Sequence, residues 1–258
     1  MKSDRRNFIR QSVTSAAGLA AGLLPAGLYG RELHRTLHPE EIIIKPEQRP
    51  LPKESVKFSV IGLNHGHIYS MTEAIIKGGG ELVSVFAIEQ DLLKAFTKRY
   101  PKAVVAKSEK EILEDKSVQL VASASIPVER APLGIRVMLS GKDFMADKPG
   151  IVTLSQLKEV KKVQKKTNRI YSIMYSERLG TPASYKADEL IQAGAIGKVV
   201  QTIGLGPHRM NPKTRPEWFF DPGRAGGILC DIGSHQCDQF LHYTKSAQAS
   251  LCLMENNL

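Results

Sequence analysis

A chain of 258 residues that is 42% hydrophobic and 24% charged has globular composition, with length for one full domain and part of another. The formal charge of +10 raises nucleic acid as a partner, but the excess is scattered. Its densest run, Lys161, Lys162, Lys165 and Lys166, falls on one solvated helix face, and no zinc-finger spacing or aromatic–basic interleaving is present, so no nucleic-acid partner is expected.

The amino terminus comes first. Ser3-Asp4-Arg5-Arg6-Asn7-Phe8-Ile9-Arg10 carries paired arginines, and a stretch rich in Ala, Gly and Leu follows from Val13 to Leu28. Gly18, Gly22, Pro25 and Gly27 weaken any helix there. Residues 1–30 resemble a bacterial twin-arginine signal, which implies export to the periplasm. Residues 31–54, rich in Pro, Glu and His, read as a linker. After the first thirty residues no apolar stretch has the length to span a bilayer, so no membrane span is expected once the signal is removed.

Strand and helix patterns then alternate. Val56 to Gly62 is a β-rich run ending at glycine, and a helix from about Ile68 to Lys77 stops at Gly78-Gly79-Gly80. Strands are predicted at Glu81 to Ala87, Val104-Val105, Leu120 to Ser123 and Asp143 to Ala146. Helices are predicted at Asp91 to Tyr100, Lys110 to Leu113, Arg130 to Leu139 and Leu154 to Thr167. Strands separated by crossover helices predict an α/β fold with a doubly wound parallel sheet over residues 55–170.

In such sheets ligands bind beyond the carboxyl ends of the strands. The first strand-to-helix turn, Gly62-Leu63-Asn64-His65-Gly66-His67, sits there. A dinucleotide turn is G-x-G-x-x-G, so that backbone N–H groups and the helix terminus approach the pyrophosphate. Gly62 fits its slot, Asn64 and His67 occupy the second and third glycine positions, and Gly66 comes one residue early. The second strand ends at Ala87 rather than at an acid for the ribose hydroxyls, and Glu89 two residues on is the candidate substitute; a solvated loop acid is the other reading.

Gly141-Lys142-Asp143-Phe144-Met145-Ala146-Asp147-Lys148-Pro149-Gly150 resembles the G-K-x-V-x-x-E-K-P segment of the Gfo/Idh/MocA family, with Asp147 for the usual Glu. The run Gly226 to Asp238 resembles that family's G-G-x-x-x-D-x-x-x-H-x-x-D helix, with Tyr175-Ser176-Glu177-Arg178 and Gly194 to Val199 between them in family order. The match covers roughly residues 56 to 245. The resemblance implies a Rossmann domain that binds NAD or NADP, then an α+β domain with a mostly antiparallel sheet over residues 171–258 that shapes a pocket for a sugar, cyclitol or related polyol.

Carried over residue by residue, Lys148 matches the catalytic lysine, Asp231 the acid and His235 the histidine. Gly62, Asn64, His65, Gly66, His67, Glu89, Ser125 and Pro149 are cofactor-side candidates. Tyr175, Arg178, His208 and Trp218 are substrate-side candidates, for each of which packing or an ion pair is the competing reading. No metal site is expected: Cys230, Cys237 and Cys252 form neither a CxxC pair nor a disulfide framework. Pro149 is expected to follow a cis bond.

The chemistry is consistent with those residue types. Removing hydride from a secondary alcohol requires a group to take the hydroxyl proton, which lysine and histidine can do. Asp231 and His235 are four apart, hence on one helical face.

Two departures stand out. Arg130 occupies a position where many relatives carry histidine, which implies altered nucleotide-side contacts. The family continues for about a hundred residues of sheet after Tyr243, whereas this chain ends at Leu258 with one clear strand there, Lys198 to Leu205. A truncated second domain is therefore expected, with homo-oligomers possible only at full length. The competing function is an exported nucleotide- or sugar-binding protein without turnover.

Overall fold

Apolar runs between Val56 and Met174 fold into strands whose central members are buried on both faces, as a sheet covered by helices on each side requires. In the computed structural model, residues 55–206 and 208–245 are described. The export-type segment (1–30), the linker (31–54) and the divergent end after Lys245 lie outside the described residues. No helix among the described residues is long and apolar enough to cross a membrane.

The elements in order are β1 (Lys57–Ile61), α1 (His67–Lys77), β2 (Glu81–Phe86), α2 (Gln90–Arg99), β3 (Val104–Val105), α3 (Glu109–Glu114), β4 (Leu120–Ser123), α4 (Pro127–Leu139), β5 (Asp143–Asp147), α5 (Leu154–Thr167) and β6 (Tyr171–Met174). The strands form one sheet in the order β3-β2-β1-β4-β5-β6, and every pairing is parallel. This is the dinucleotide-binding order, with its switch point between β1 and β4.

Two cores result. Phe58, Val60, Ile68, Met71, Val85, Leu93 and Phe96 pack α1 and α2 on one face of the sheet. Ile61, Ile112, Val121, Leu133, Val137 and Phe144 pack α3 and α4 on the other. The periodic apolar positions set these faces, and local chemistry sets the helix ends. Thr153 caps α5 by accepting from the Gln156 N–H, and Asn168 ends that helix in the left-handed region at φ 54°.

The sequence named five of the six strands. It missed β6, a four-residue run that follows the Asn168 cap and hydrogen-bonds to β5. The strand expected over Lys198 to Leu205 does not form. Its residues have β propensity, but a strand needs a ladder partner, and none is present among the described residues; Val200, Ile203 and Leu205 are largely exposed. No antiparallel pairing occurs among the described residues.

Beyond β6 the chain is helical and irregular. It comprises α6 (Ser176–Leu179), α7 (Pro182–Gln192), α8 (Pro222–Ala225) and α9 (Ser234–Thr244), with 3-10 turns at Pro212–Thr214 and Glu217–Phe220 and a π-turn at Leu229–Gly233. Trp218 packs with Ile126 and Ala225, tying this segment to the start of α4.

At the end of β1, Gly62 has φ +84°, and a Cβ there would lie 2.6 Å from the Ser125 Cβ. A side chain at Gly62 is therefore disfavoured by both backbone and space. Gly62→Ala is expected to cost about 1–3 kcal/mol, a fall of roughly 3–10 °C in melting temperature. An unchanged melting curve would contradict this geometry.

Candidate active site

Strands β1, β4 and β5 end side by side and deliver Gly62, Ser125, Asp147 and Lys148 to one edge of the sheet. The Lys148–Pro149 peptide is cis, as expected. Asp147 and Lys148 are both buried.

The Asp147 carboxylate collects four donors. Oδ2 accepts from His65 Nδ1 at 2.7 Å and faces the Arg130 guanidinium at 3.2 Å. Oδ1 accepts from His67 Nδ1 at 3.0 Å and from the Lys148 backbone N–H at 2.8 Å. A carboxylate offers about four lone-pair sites, so this one is fully used. Burial alone pushes the Asp147 carboxyl up, but the two imidazoles and Arg130 outweigh it and hold the group far below the usual carboxylate range.

Arg130 lies 1% exposed. It also donates to the backbone carbonyls of Ser125 (2.7 Å), Asp147 (3.0 Å) and Pro149 (3.2 Å). Burial lowers its pKa, against the opposing pull of Asp147.

His65, His67 and Asp147 also place three ligand-type atoms within 4.8 Å of one another. A divalent ion there would compete with the buried Arg130 for the same carboxylate and sit beside its positive charge. The ring nitrogens face the oxygens at N–H···O distances, and the set is better described as a hydrogen-bond network.

On the other side of Lys148 lies the later helix. Lys148 Nζ donates to Asp231 Oδ1 at 2.6 Å, joining residues 83 apart in sequence. Asp231 sits in the π-turn Leu229–Gly233, a geometry that recurs at functional sites. His235 is 3% exposed. Its Nε2 is 3.9 Å from Glu177 Oε1, and its Nδ1 is buried with no hydrogen-bond partner. Burial lowers the His235 pKa first, Glu177 and Asp231 pull it up, and Lys148 and His208 push it down. The ring is therefore held neutral at pH 7, in the electrostatic field of both members of the Lys148–Asp231 pair.

The remaining candidates divide. Tyr175 stands edge-on to His235, with ring centroids 5.8 Å apart. Trp218 lies near His65 and lines a cavity of about 10 Å³ with Arg130, Lys148, Pro149 and Asp231. His208 is exposed on an irregular segment. Arg178 is engaged by Asp238 through two bonds of 2.5 and 2.8 Å, which pin α6 to α9.

On the cofactor side, Gly62, Asn64, Ala87, Glu89, Ser125 and Arg136 line a cleft of about 370 Å³ beyond β1, β2 and β4. Asn64 Nδ2 donates to Glu89 Oε1 at 2.6 Å, which links the turn to the loop after β2. Arg136 is held by Glu109. In the sequence Glu177 stood within the Tyr175–Arg178 motif without a role of its own, and Arg130 was read as a departure implying altered nucleotide-side contacts. Neither reading named the partner, because both residues act through residues distant in the chain.

Residues 185–257 match the GFO/IDH/MocA C-terminal domain. The chain is similar to the uncharacterized oxidoreductase YdgJ of Escherichia coli (strain K12), 26% identical over 163 residues that cover 62% of this chain and 45% of that protein. It is similar to scyllo-inositol 2-dehydrogenase (NADP(+)) IolW of Bacillus subtilis (strain 168), 23% identical over 196 residues, 73% of this chain and 52% of that one. A crystal structure described as an oxidoreductase from Erwinia carotovora atroseptica superimposes with TM-score 0.71 at 42% identity, covering 74% of this chain and 57% of that one. The chain spans about half the length of the curated relatives it matches. The matched domain model carries the Gfo/Idh/MocA name, and the relatives above are named as oxidoreductases or a dehydrogenase.

Burial lowers the pKa of His65 as it does that of His235, against the pull of Asp147. Both depressions make the unfolded chain bind more protons below about pH 6.5. Stability is thus full above that value and falls as pH drops from there toward the lowered folded values. The melting temperature is expected to fall between about pH 7.5 and 5.5, and less steeply in His235→Gln; identical slopes in the two proteins would contradict a buried neutral His235.

Proposed function

We propose that this chain belongs to an NAD(P)-dependent oxidoreductase of the Gfo/Idh/MocA type. It transfers a hydride to or from a secondary alcohol of a sugar, cyclitol or related polyol. The observation that carries this reading is the Lys148–Asp231 ion pair at 2.6 Å, set at the strand ends beside the turn of a 3-2-1-4-5-6 sheet. IolW is named as an NADP(+) inositol dehydrogenase, and the other matches are named as oxidoreductases.

The residues at hand fit a dinucleotide. Gly62 takes the positive-φ corner, and a Cβ at Gly66 would meet nothing within 4 Å, so the outer face of the turn is open to a ligand. Gly62, Asn64, His65, Gly66 and His67 would hold the diphosphate, and Glu89 and Ser125 the ribose side of the cleft. When bound, the nicotinamide supplies the acceptor or donor of the hydride.

This chain's residues then divide the remaining work. Lys148, paired with Asp231, stabilises negative charge on the reacting oxygen as an ammonium donor. Glu177 Oε1 lies 3.9 Å from His235 Nε2 and favours the ring hydrogen on that side, with Nδ1 as the acceptor. A buried acceptor without a partner is costly, and the substrate hydroxyl satisfies it. His235 Nδ1 thus takes the hydroxyl proton during oxidation and returns it during reduction. Tyr175, Trp218 and His208 line the substrate side. Export through the twin-arginine route suits this reading, since that route carries proteins already folded around a cofactor.

The second reading is an exported nucleotide- or sugar-binding protein without turnover. It is favoured by the cavity beside Lys148, which at about 10 Å³ has room for one water.

One experiment separates the two. Trp218 is the chain's single tryptophan and serves as reporter of NADH or NADPH binding. Binding with polyol-dependent reduction of NAD(P)+ supports the enzyme, and Lys148→Ala is then expected to lower turnover by about 10²–10³-fold with little change in cofactor affinity. Binding without redox change under any polyol supports the second reading. Absence of any dinucleotide binding removes the enzyme and the nucleotide-binding form of the second reading.

A further inference from the structure

Three departures from the family pattern converge on one atom group. His67 stands at the third glycine slot, Arg130 at the usual histidine and Asp147 at the usual glutamate, and all three meet at the Asp147 carboxylate together with His65. In the chain they lie 17 to 82 positions from Asp147. Only the fold brings them together.

We propose that Asp147, paired with Arg130, is a positioning residue of the nucleotide site. Through His65 and His67 it fixes the glycine-poor turn, so that His67 contacts the diphosphate of a bound dinucleotide. Through the Lys148 backbone N–H it fixes the lysine in the same step. This rests on the dinucleotide reading given above.

The physical case begins with the turn. Two of its three glycine slots carry side chains, so the backbone cannot approach a diphosphate as closely as in a full glycine turn. A compensating donor is needed. The His67 Nδ1 is occupied by Asp147 while its side chain stays 39% exposed, so Nε2 is the nitrogen left for a ligand, and it donates to a diphosphate oxygen in the form of the ring that carries hydrogen on both nitrogens. An imidazole with its other nitrogen bonded to a carboxylate is fixed in ring orientation, as in metal sites where such pairs orient a histidine.

Length explains the choice of aspartate. Four donors already surround the carboxylate at 2.7 to 3.2 Å. One more methylene would drive the head group into His65 and Arg130. Arg130 supplies the charge that keeps the group an acceptor on all sides, and its bonds to the Ser125 and Pro149 carbonyls hold β4 and the segment after β5 around it. The carboxylate therefore touches the turn, the lysine and the helix α4 at once.

A merely structural knot would affect folding without a phosphate-specific signature, and a thermodynamic cycle on the whole chain distinguishes the two. ADP, NADH and adenosine are titrated into wild type, His67→Ala, Asp147→Asn and the double variant by calorimetry, with melting curves as the check on folding. Each single change is expected to weaken ADP and NADH by about 10-fold or more, the scale of a charge-assisted hydrogen bond. The double variant is expected to be no weaker than Asp147→Asn alone, because Asp147 acts through His67. Adenosine, which lacks phosphates, should bind wild type and His67→Ala alike.

Should Asp147→Asn fail to fold, Asp147→Glu replaces it in the cycle with the same expectation, since it keeps the charge beside Arg130 and shifts only the carboxylate position. Additive losses, or ADP affinity unchanged in His67→Ala, overturn the proposal while leaving the dinucleotide reading intact. Wild-type protein that binds neither ADP nor NADH overturns both.

Discussion

The carboxylate of Asp147 is the point on which the rest of the site depends. It is buried, charged and surrounded by the imidazoles of His65 and His67, the guanidinium of Arg130 and the amide of Lys148. An ion pair at such depth adds little net stability, because desolvating two charges costs about as much as their attraction returns. What it supplies is specificity of arrangement. Four donors converge on the carboxylate in this one arrangement, and the removal of any one of them leaves a buried group short of a partner.

From that point the architecture extends in two directions. Toward β1, the contact reaches the turn at the switch point of the sheet, where the strand order reverses and a cleft opens. Toward the later helices, it reaches Lys148 and through it Asp231 on the π-turn. A single side chain thus links the nucleotide side of the molecule to the side that faces a second reactant. Trp218, packed on Ile126 and Ala225, reinforces the same junction by apolar contact.

The sheet was legible because its strands are short apolar runs bounded by glycines and acids, and its helices keep a clear period. Helix α5 matched its sequence reading at both ends, since Thr153 and Asn168 mark them chemically. β6 was missed because Tyr171 to Met174 is short and only half-buried, so it carries no alternation to read. The strand expected over 198–205 failed for the opposite reason. Propensity was present, and a ladder partner among the described residues was not. In the site, Lys148 and Asp231 were named from a family pattern, while their contact is a tertiary fact that no spacing encodes. Arg130 was visible only as an anomaly, because a lone arginine in a helix shows neither its burial nor its partners. Glu177 lay within a family-order motif that assigned it no role; its position opposite His235 comes from the packing of α6 against α9.

The central claim is that both turn imidazoles donate from Nδ1 to an ionised Asp147. Long-range ¹H–¹⁵N correlation spectra of the histidine rings test it directly at neutral pH. The account predicts hydrogen on Nδ1 of His65, with Nε2 bare, and hydrogen on Nδ1 of His67. Spectra showing the common Nε2–H tautomer with an unprotonated Nδ1 at both residues would contradict it.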